Sequence, residues 1–65
     1  MNYYIIKQGN KKRYIKAESP HHAMLELFPH EGPAERFHLI RYLPDGTFIY
    51  AVHGQEKATV TKSQG

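Results

Sequence analysis

Four consecutive residues, Leu43-Pro44-Asp45-Gly46, constrain the fold most, because they predict a tight turn between two extended segments. Proline at the second position and glycine at the fourth are typical of a type I turn. The flanking residues 36–43 and 47–53 are rich in aromatic and β-branched side chains. These two segments are therefore predicted to pair as an antiparallel hairpin.

A second hairpin is predicted at the beginning of the chain. Residues 3–8 are rich in tyrosine and isoleucine, residues 13–17 alternate, and Gly9-Asn10-Lys11-Lys12 between them supplies turn residues. In the second strand the period of two places Ile15 and Ala17 toward the core, with Tyr14 and Lys16 on the opposite face.

Three other strands give a less decisive pattern. The first strand fits either Tyr3 with Ile5 or Tyr4 with Ile6 as its inward pair. In the first strand of the later hairpin, strict alternation places one set of residues on one face of the sheet and a second set on the other face. The first set is Phe37, Leu39, Arg41 and Leu43, and the second is His38, Ile40 and Tyr42. In the partner strand the corresponding sets are Phe48, Tyr50 and Val52, and Ile49 and Ala51.

A short helix is predicted over residues 20–28. Ser19 is a suitable N-cap, Pro20 suits the first helical position, and Pro29 stops the helix. The apolar stripe that would lie on the sheet is Ala23, Met24, Leu27 and Phe28, which leaves His21, His22 and Glu26 toward water. A Gly-Pro pair makes residues 30–35 a loop.

These elements predict an α+β fold. Residues 1–54 form a single small domain of order ββαββ, in which one short helix lies on one face of a four-stranded antiparallel sheet. Residues 55–65 contain only Ala58 and Val60 as apolar residues and are predicted to be a flexible C-terminal tail. The Thr59 to Lys62 stretch could add a fifth strand where a sheet edge is free.

Composition narrows the function classes. The 65 residues include no cysteine and no long apolar run, which favours a soluble protein in a reducing, cytoplasmic setting without a membrane anchor. Five histidines invite a metal hypothesis, but His21 and His22 point about 100° apart on a helix and no HxxxH spacing occurs. We therefore expect no metal, no cofactor and no enzyme activity, because one helix on a sheet hardly encloses a reaction pocket.

The first hairpin carries the most suggestive functional pattern. Residues 7–16 contain five cations and no acid, interleaved with tyrosine. Phosphates need cations and unpaired bases need aromatic faces, so this hairpin suits nucleic acid. The hairpin equally suits binding to the surface of a protein that itself binds nucleic acid. A third interpretation is that the lysines only keep a solvated hairpin tip soluble. The candidate partner-binding residues are Lys7, Lys11, Lys12, Arg13, Tyr14 and Lys16.

The layout also resembles a known family. A Tyr-Ile-Ile-Lys strand over residues 4–7 is followed by a strand over residues 15–19 that runs into a helix containing Ala23. Arg41, a turn at Gly46 and an aromatic strand ending near Tyr50 come next. The order of these elements is similar to that of small anti-CRISPR proteins of phages. Those proteins act on type I surveillance complexes (Cascade).

The resemblance implies a function that composition does not show. It implies a stoichiometric inhibitor in the host cytoplasm, docked on the subunits that hold the guide RNA and obstructing target DNA. By position it makes Lys7, Lys11, Lys12, Arg13 and Arg41 the contact candidates. The chain departs from the family pattern in its histidine-rich helix start and in the loop over residues 29–33.

Overall fold

Five strands and one helix build the fold in a computed structural model that describes residues 1–30 and 32–63. The elements in chain order are β1 (Asn2–Gln8), β2 (Lys11–Ala17), α1 (Pro20–Leu27), β3 (Phe37–Tyr42), β4 (Phe48–Val52) and β5 (Ala58–Ser63). All neighbouring strands are antiparallel, and the order across the sheet is β2-β1-β5-β4-β3. The predicted α+β class is confirmed at this level.

Local turn chemistry closes both hairpins. Between β1 and β2 the turn has only two residues, and Gly9 adopts a φ of +58° at the first central position, where a type II′ turn needs glycine. Between β3 and β4 the Leu43 N–H donates to the Thr47 carbonyl over 2.8 Å. The Asp45 carboxylate accepts from the Thr47 N–H over 3.0 Å. Both predicted hairpins are present.

The helix begins where its cap residues predict. The Ser19 hydroxyl accepts a hydrogen bond from the His22 N–H over 3.2 Å, and Pro20 occupies the first turn without leaving an amide unpaired. The helix ends at Leu27, and the Phe28 N–H still donates to the Met24 carbonyl. Part of the predicted loop over residues 30–35 is described, whereas residue 31 lies outside the described residues.

The fifth strand corrects the predicted order. Residues 58–63, predicted to belong to a flexible tail, form β5 in the middle of the sheet between β1 and β4. Ala58 and Val60 are fully buried, and the backbone of β5 pairs with β1 on one side and with β4 on the other. The order is therefore ββαβββ, and the strand occupies the centre of the sheet and not a free edge. Residues 64–65 of the predicted tail lie outside the described residues.

A β-bulge corrects the predicted alternation in β3. Leu39 pairs with Tyr50 and Arg41 pairs with Ile49, so Ile40 is the extra residue between them. The pairing moves Tyr42 onto the face of Phe48, and their ring centroids lie 4.5 Å apart. Arg41 moves to the opposite face. The sequence predicted the reverse for both residues, because strict alternation does not anticipate an inserted residue.

The core lies between the helix and one face of the sheet. In β1 it is Tyr4 and Ile6 that are buried, which settles the choice that the sequence left open. The other buried residues are Ala17, Ala23, Met24, Phe28, Phe37, Tyr50, Val52, Ala58 and Val60. Within the predicted helix stripe Leu27 is only partly buried at the end of α1, whereas Met24 is fully buried.

Candidate functional site

Charge divides between the strands and the remainder of the chain. Seven of the nine lysines and arginines lie in strands, and the described strands contain no Asp or Glu. The cationic character is therefore a property of the sheet. We call the sheet face opposite the helix the open face. It carries those strand cations that do not point to the helix side.

One row of side chains crosses the open face on all five strands. Directly paired residues of neighbouring antiparallel strands point to the same side of a sheet. The register joins, from β2 to β3, the residues Lys12, Lys7, Thr59, Ile49 and Arg41. At about 4.8 Å per strand, this row spans roughly 19 Å. Three cations thus lie along one line across the sheet.

Two shorter rows extend the open face toward one end of β1. The first joins Tyr14, Ile5 and Thr61, and the second joins Lys16, Tyr3 and Ser63. Together the three rows bring four cations, two tyrosines and a line of hydroxyl groups onto one surface. Ile5 and Ile49 fill the space between these groups and are only partly buried.

The two tyrosines of the open face present their rings to solvent. Tyr14 is 64% exposed and Tyr3 is 46% exposed. The Lys12 ammonium lies 5.5 Å from the centre of the Tyr14 ring, and the Lys16 ammonium lies 5.6 Å from the centre of the Tyr3 ring. Each aromatic ring is therefore accompanied by a cation on the neighbouring side chain, as in a cation–π contact.

The structure separates the predicted partner-binding residues into two groups. The open face holds Lys7, Lys12, Tyr14, Lys16 and Arg41. Lys11 pairs with Gln8 and Arg13 pairs with Ile6, so both point to the helix side. There they border a small hollow with Leu27 and Phe28. The hairpin is thus basic on two faces, and only one of them carries exposed tyrosine.

Sequence reasoning missed four residues of the open face. Tyr3 remained one of two alternatives, while Thr59, Thr61 and Ser63 lay in the segment predicted to be a tail. The alternation of Ala58, Thr59, Val60 and Thr61 is a period-two pattern of β-branched residues around small apolar ones, and this signal could have identified the strand.

Two of the five histidines, His21 and His30, meet at one carboxylate away from the open face. The Nε2 atoms of His21 and His30 lie 2.8 Å and 3.6 Å from the same carboxylate oxygen of Glu35. These contacts join the first turn of α1 to the loop that follows it. In the described ranges 1–30 and 32–63, no group of three or more His, Cys, Asp or Glu side chains is arranged to hold a metal ion.

A further exposed surface follows the outer strand. Leu39, Ile40 and Tyr42 of β3 are 48%, 44% and 60% exposed, so this sheet edge is apolar where the β2 edge is cationic. The described helix α1 has eight residues, and nowhere in the described chain is a helix long and apolar enough to cross a membrane.

Comparison of the chain with protein-family models, with curated proteins and with solved structures finds no match.

Proposed function

We propose that this protein is a non-enzymatic binding protein whose open face binds nucleic acid. The observation that carries the proposal is the row of Lys12, Lys7 and Arg41 across a sheet face whose strands contain no acid, with exposed tyrosines beside it. A line of cations without intervening carboxylates attracts a polyanion, and it repels none of the phosphates along the row.

The charge pattern favours nucleic acid over a merely soluble hairpin tip. Lys7 and Lys12 are directly paired across β1 and β2, and two like charges in that position repel each other. This repulsion destabilises the free protein and is relieved when a phosphate neutralises both ammonium groups. A surface evolved for solubility alone has no need of cations arranged in register.

The second candidate function is inhibition of a protein complex that handles nucleic acid, such as the type I surveillance complex that the family resemblance implies. The apolar edge of β3 favours it, since Leu39, Ile40 and Tyr42 offer contacts that phosphates do not use. In this case the open face would meet nucleic acid or acidic side chains of the complex, and the β3 edge would meet protein.

Charge reversal on one side of the sheet tests the proposal. The triple variant Lys7→Glu, Lys12→Glu, Lys16→Glu changes the open face. The matched control, Lys11→Glu, Arg13→Glu, Lys62→Glu, changes three exposed cations on the helix side by the same total charge. Fluorescence anisotropy with labelled single-stranded and duplex DNA, repeated over a range of salt concentrations, measures affinity and its salt dependence.

The proposal expects a specific difference between the two triples. The open-face triple should lose affinity strongly, and the slope of log K against log salt should fall by about 0.7 per lost phosphate contact on a single strand. The control should retain most of its affinity. Equal losses in both triples would mean that net charge alone drives binding. Absence of binding to naked nucleic acid by the parent, together with binding to a purified surveillance complex, would favour the inhibitor.

A further inference from the structure

We infer that the nucleic acid bound by the open face is single-stranded, and that two neighbouring bases stack on the rings of Tyr14 and Tyr3. The inference rests on the proposed function and specifies its ligand. It is carried by the juxtaposition of two exposed rings, one on β2 and one on β1, with two lysines of β2.

The register sets the separation of the backbone positions that carry the two rings. Tyr14 is paired with Ile5 and Tyr3 is paired with Lys16, so the two tyrosines are diagonal neighbours on β2 and β1. The Cα atoms of diagonal neighbours in an antiparallel pair lie about 7–8 Å apart. Successive nucleotides of a duplex strand advance by only about 3.4 Å, so adjacent stacked bases cannot reach both rings. An extended single strand has no such limit.

The lysines beside the rings are suited to follow the backbone of that strand. Lys12 and Lys16 lie over the tyrosine rings through exposed cation–π contacts, which are weak. An arriving base replaces each ammonium group on its ring, and the flexible lysine stem lets the ammonium move to the adjacent phosphate. Stacking and phosphate contact thus use neighbouring side chains and do not compete.

The next strand supplies hydrogen-bonding groups beside the bases. Thr61 and Ser63 of β5 pair with Ile5 and Tyr3, so their hydroxyl groups continue the two rows that contain the rings. A hydroxyl group donates or accepts, which lets it meet the edge of any base. This arrangement predicts tolerance of sequence, since every base has a stacking face.

An abasic probe separates stacking from charge. The probes are a ten-nucleotide thymidine single strand, a strand of the same length and charge built from abasic deoxyribose phosphate, and a duplex of the same length. The protein variants are Tyr3→Leu with Tyr14→Leu, which removes both rings, and Tyr3→Phe with Tyr14→Phe, which keeps them. Tyr42→Leu is the control, because Tyr42 is exposed on the helix side.

The parent protein should bind the thymidine strand at least tenfold more tightly than the abasic strand, a magnitude typical of base–aromatic stacking. The leucine pair should bind both strands equally, while the phenylalanine pair and Tyr42→Leu should keep the parent's preference. Circular dichroism and thermal melting confirm that each variant is folded.

Other outcomes overturn the inference in distinguishable ways. If the parent binds the abasic strand or the duplex as tightly as the thymidine strand, and open-face lysines are still required, the face binds phosphate without stacking and the proposed function stands. Preference that persists in the leucine pair likewise removes the two tyrosines from the site. Failure of the parent to bind any of the three probes contradicts the proposed function itself.

Discussion

Tyr50 shows how burial in the core opposes the ionisation of a side chain. It lies on β4 with its ring 5.5 Å from that of Phe37, and it is almost completely buried. Burial raises the pKa of its hydroxyl group above the ordinary value of 10.0, and Glu35 and Tyr4 act in the same direction. The folded protein therefore holds the Tyr50 proton at a pH where the unfolded chain releases it.

This difference predicts a loss of stability in alkaline solution. The contribution of neutral Tyr50 is fully present below pH 10, where both states keep the proton, and it is lost as the pH rises through the raised pKa of the folded state. Urea unfolding of the parent and of Tyr50→Phe between pH 7 and pH 11.5 measures it. The free energy of unfolding of the parent should fall relative to that of the variant above pH 10. Parallel curves over the whole range would contradict the assignment.

Residues with local roles were predictable from the sequence. Ser19 caps the helix because its own hydroxyl reaches an amide three residues later, and Gly9 closes its turn because it alone tolerates a positive φ there. Both effects depend only on neighbours in the chain. The burial of Tyr4 in place of Tyr3 depends on which side the helix occupies, and the sequence does not contain that information locally.

Among the elements, β5 determines whether the sheet exists as one piece. It pairs with β1 on one side and with β4 on the other, so it joins the two hairpins. Residues 55–65 are largely polar, and their tail-like composition hid a strand because one face of β5 is the open face. Sequence reasoning therefore predicted both hairpins but not the strand that connects them, since its pairing is non-local.

Removal of β5 should unfold the protein. A chain ending at Gln55 lacks Ala58 and Val60 in the core and leaves β1 and β4 each unpaired along one edge, so it should lose its cooperative thermal transition in circular dichroism. A chain ending at Ser63 retains all of β5 and is the control. If the shorter chain melts cooperatively at a temperature close to that of the parent, β5 is not required and the predicted four-stranded domain is supported.

A pair of substitutions within β5 tests the same element without shortening the chain. Val60 is fully buried and Thr61 is exposed, although they are adjacent. Val60→Asp places an unpaired charge in the core and should abolish folding, whereas Thr61→Asp should change stability little.

The β-bulge in β3 is the second element that the sequence did not reveal. One extra residue at Ile40 turns Arg41 toward the open face, where it completes the row that begins at Lys12. Regular alternation would have placed Arg41 on the helix side. The candidate site was therefore predictable in β2, whose alternation places Tyr14 and Lys16 away from the core, whereas the face of β1 stayed undecided and Arg41 was named only by family resemblance.

The whole molecule combines a net charge of +3 with a strong division of that charge between the sheet and the remainder of the chain. Such a dipolar distribution orients the protein as it approaches a polyanion. Any unfolded form of the chain carries the same charges without the division. The fold itself, and not composition, is what brings Lys7, Lys12, Lys16 and Arg41 to one face.

This contrast between folded and unfolded chains gives the last prediction. A ligand that binds only the native state stabilises it by about 2.7 kcal/mol at a concentration one hundred times its Kd. For a domain of this length each kcal/mol raises the Tm by about 4–8 °C, so the thymidine strand should raise the Tm by roughly 10–20 °C. Nonspecific attraction to a basic chain stabilises nothing, because the unfolded state binds as well. Thermal melts compare the parent with both charge-reversal triples, each in the presence of the strand at one hundred times the parent's Kd. The Tm should rise in the parent and in the helix-side triple but not in the open-face triple. An unchanged Tm of the parent, measured where anisotropy shows saturation, would mean that the unfolded chain holds the strand equally well and that the open face is not a site created by folding.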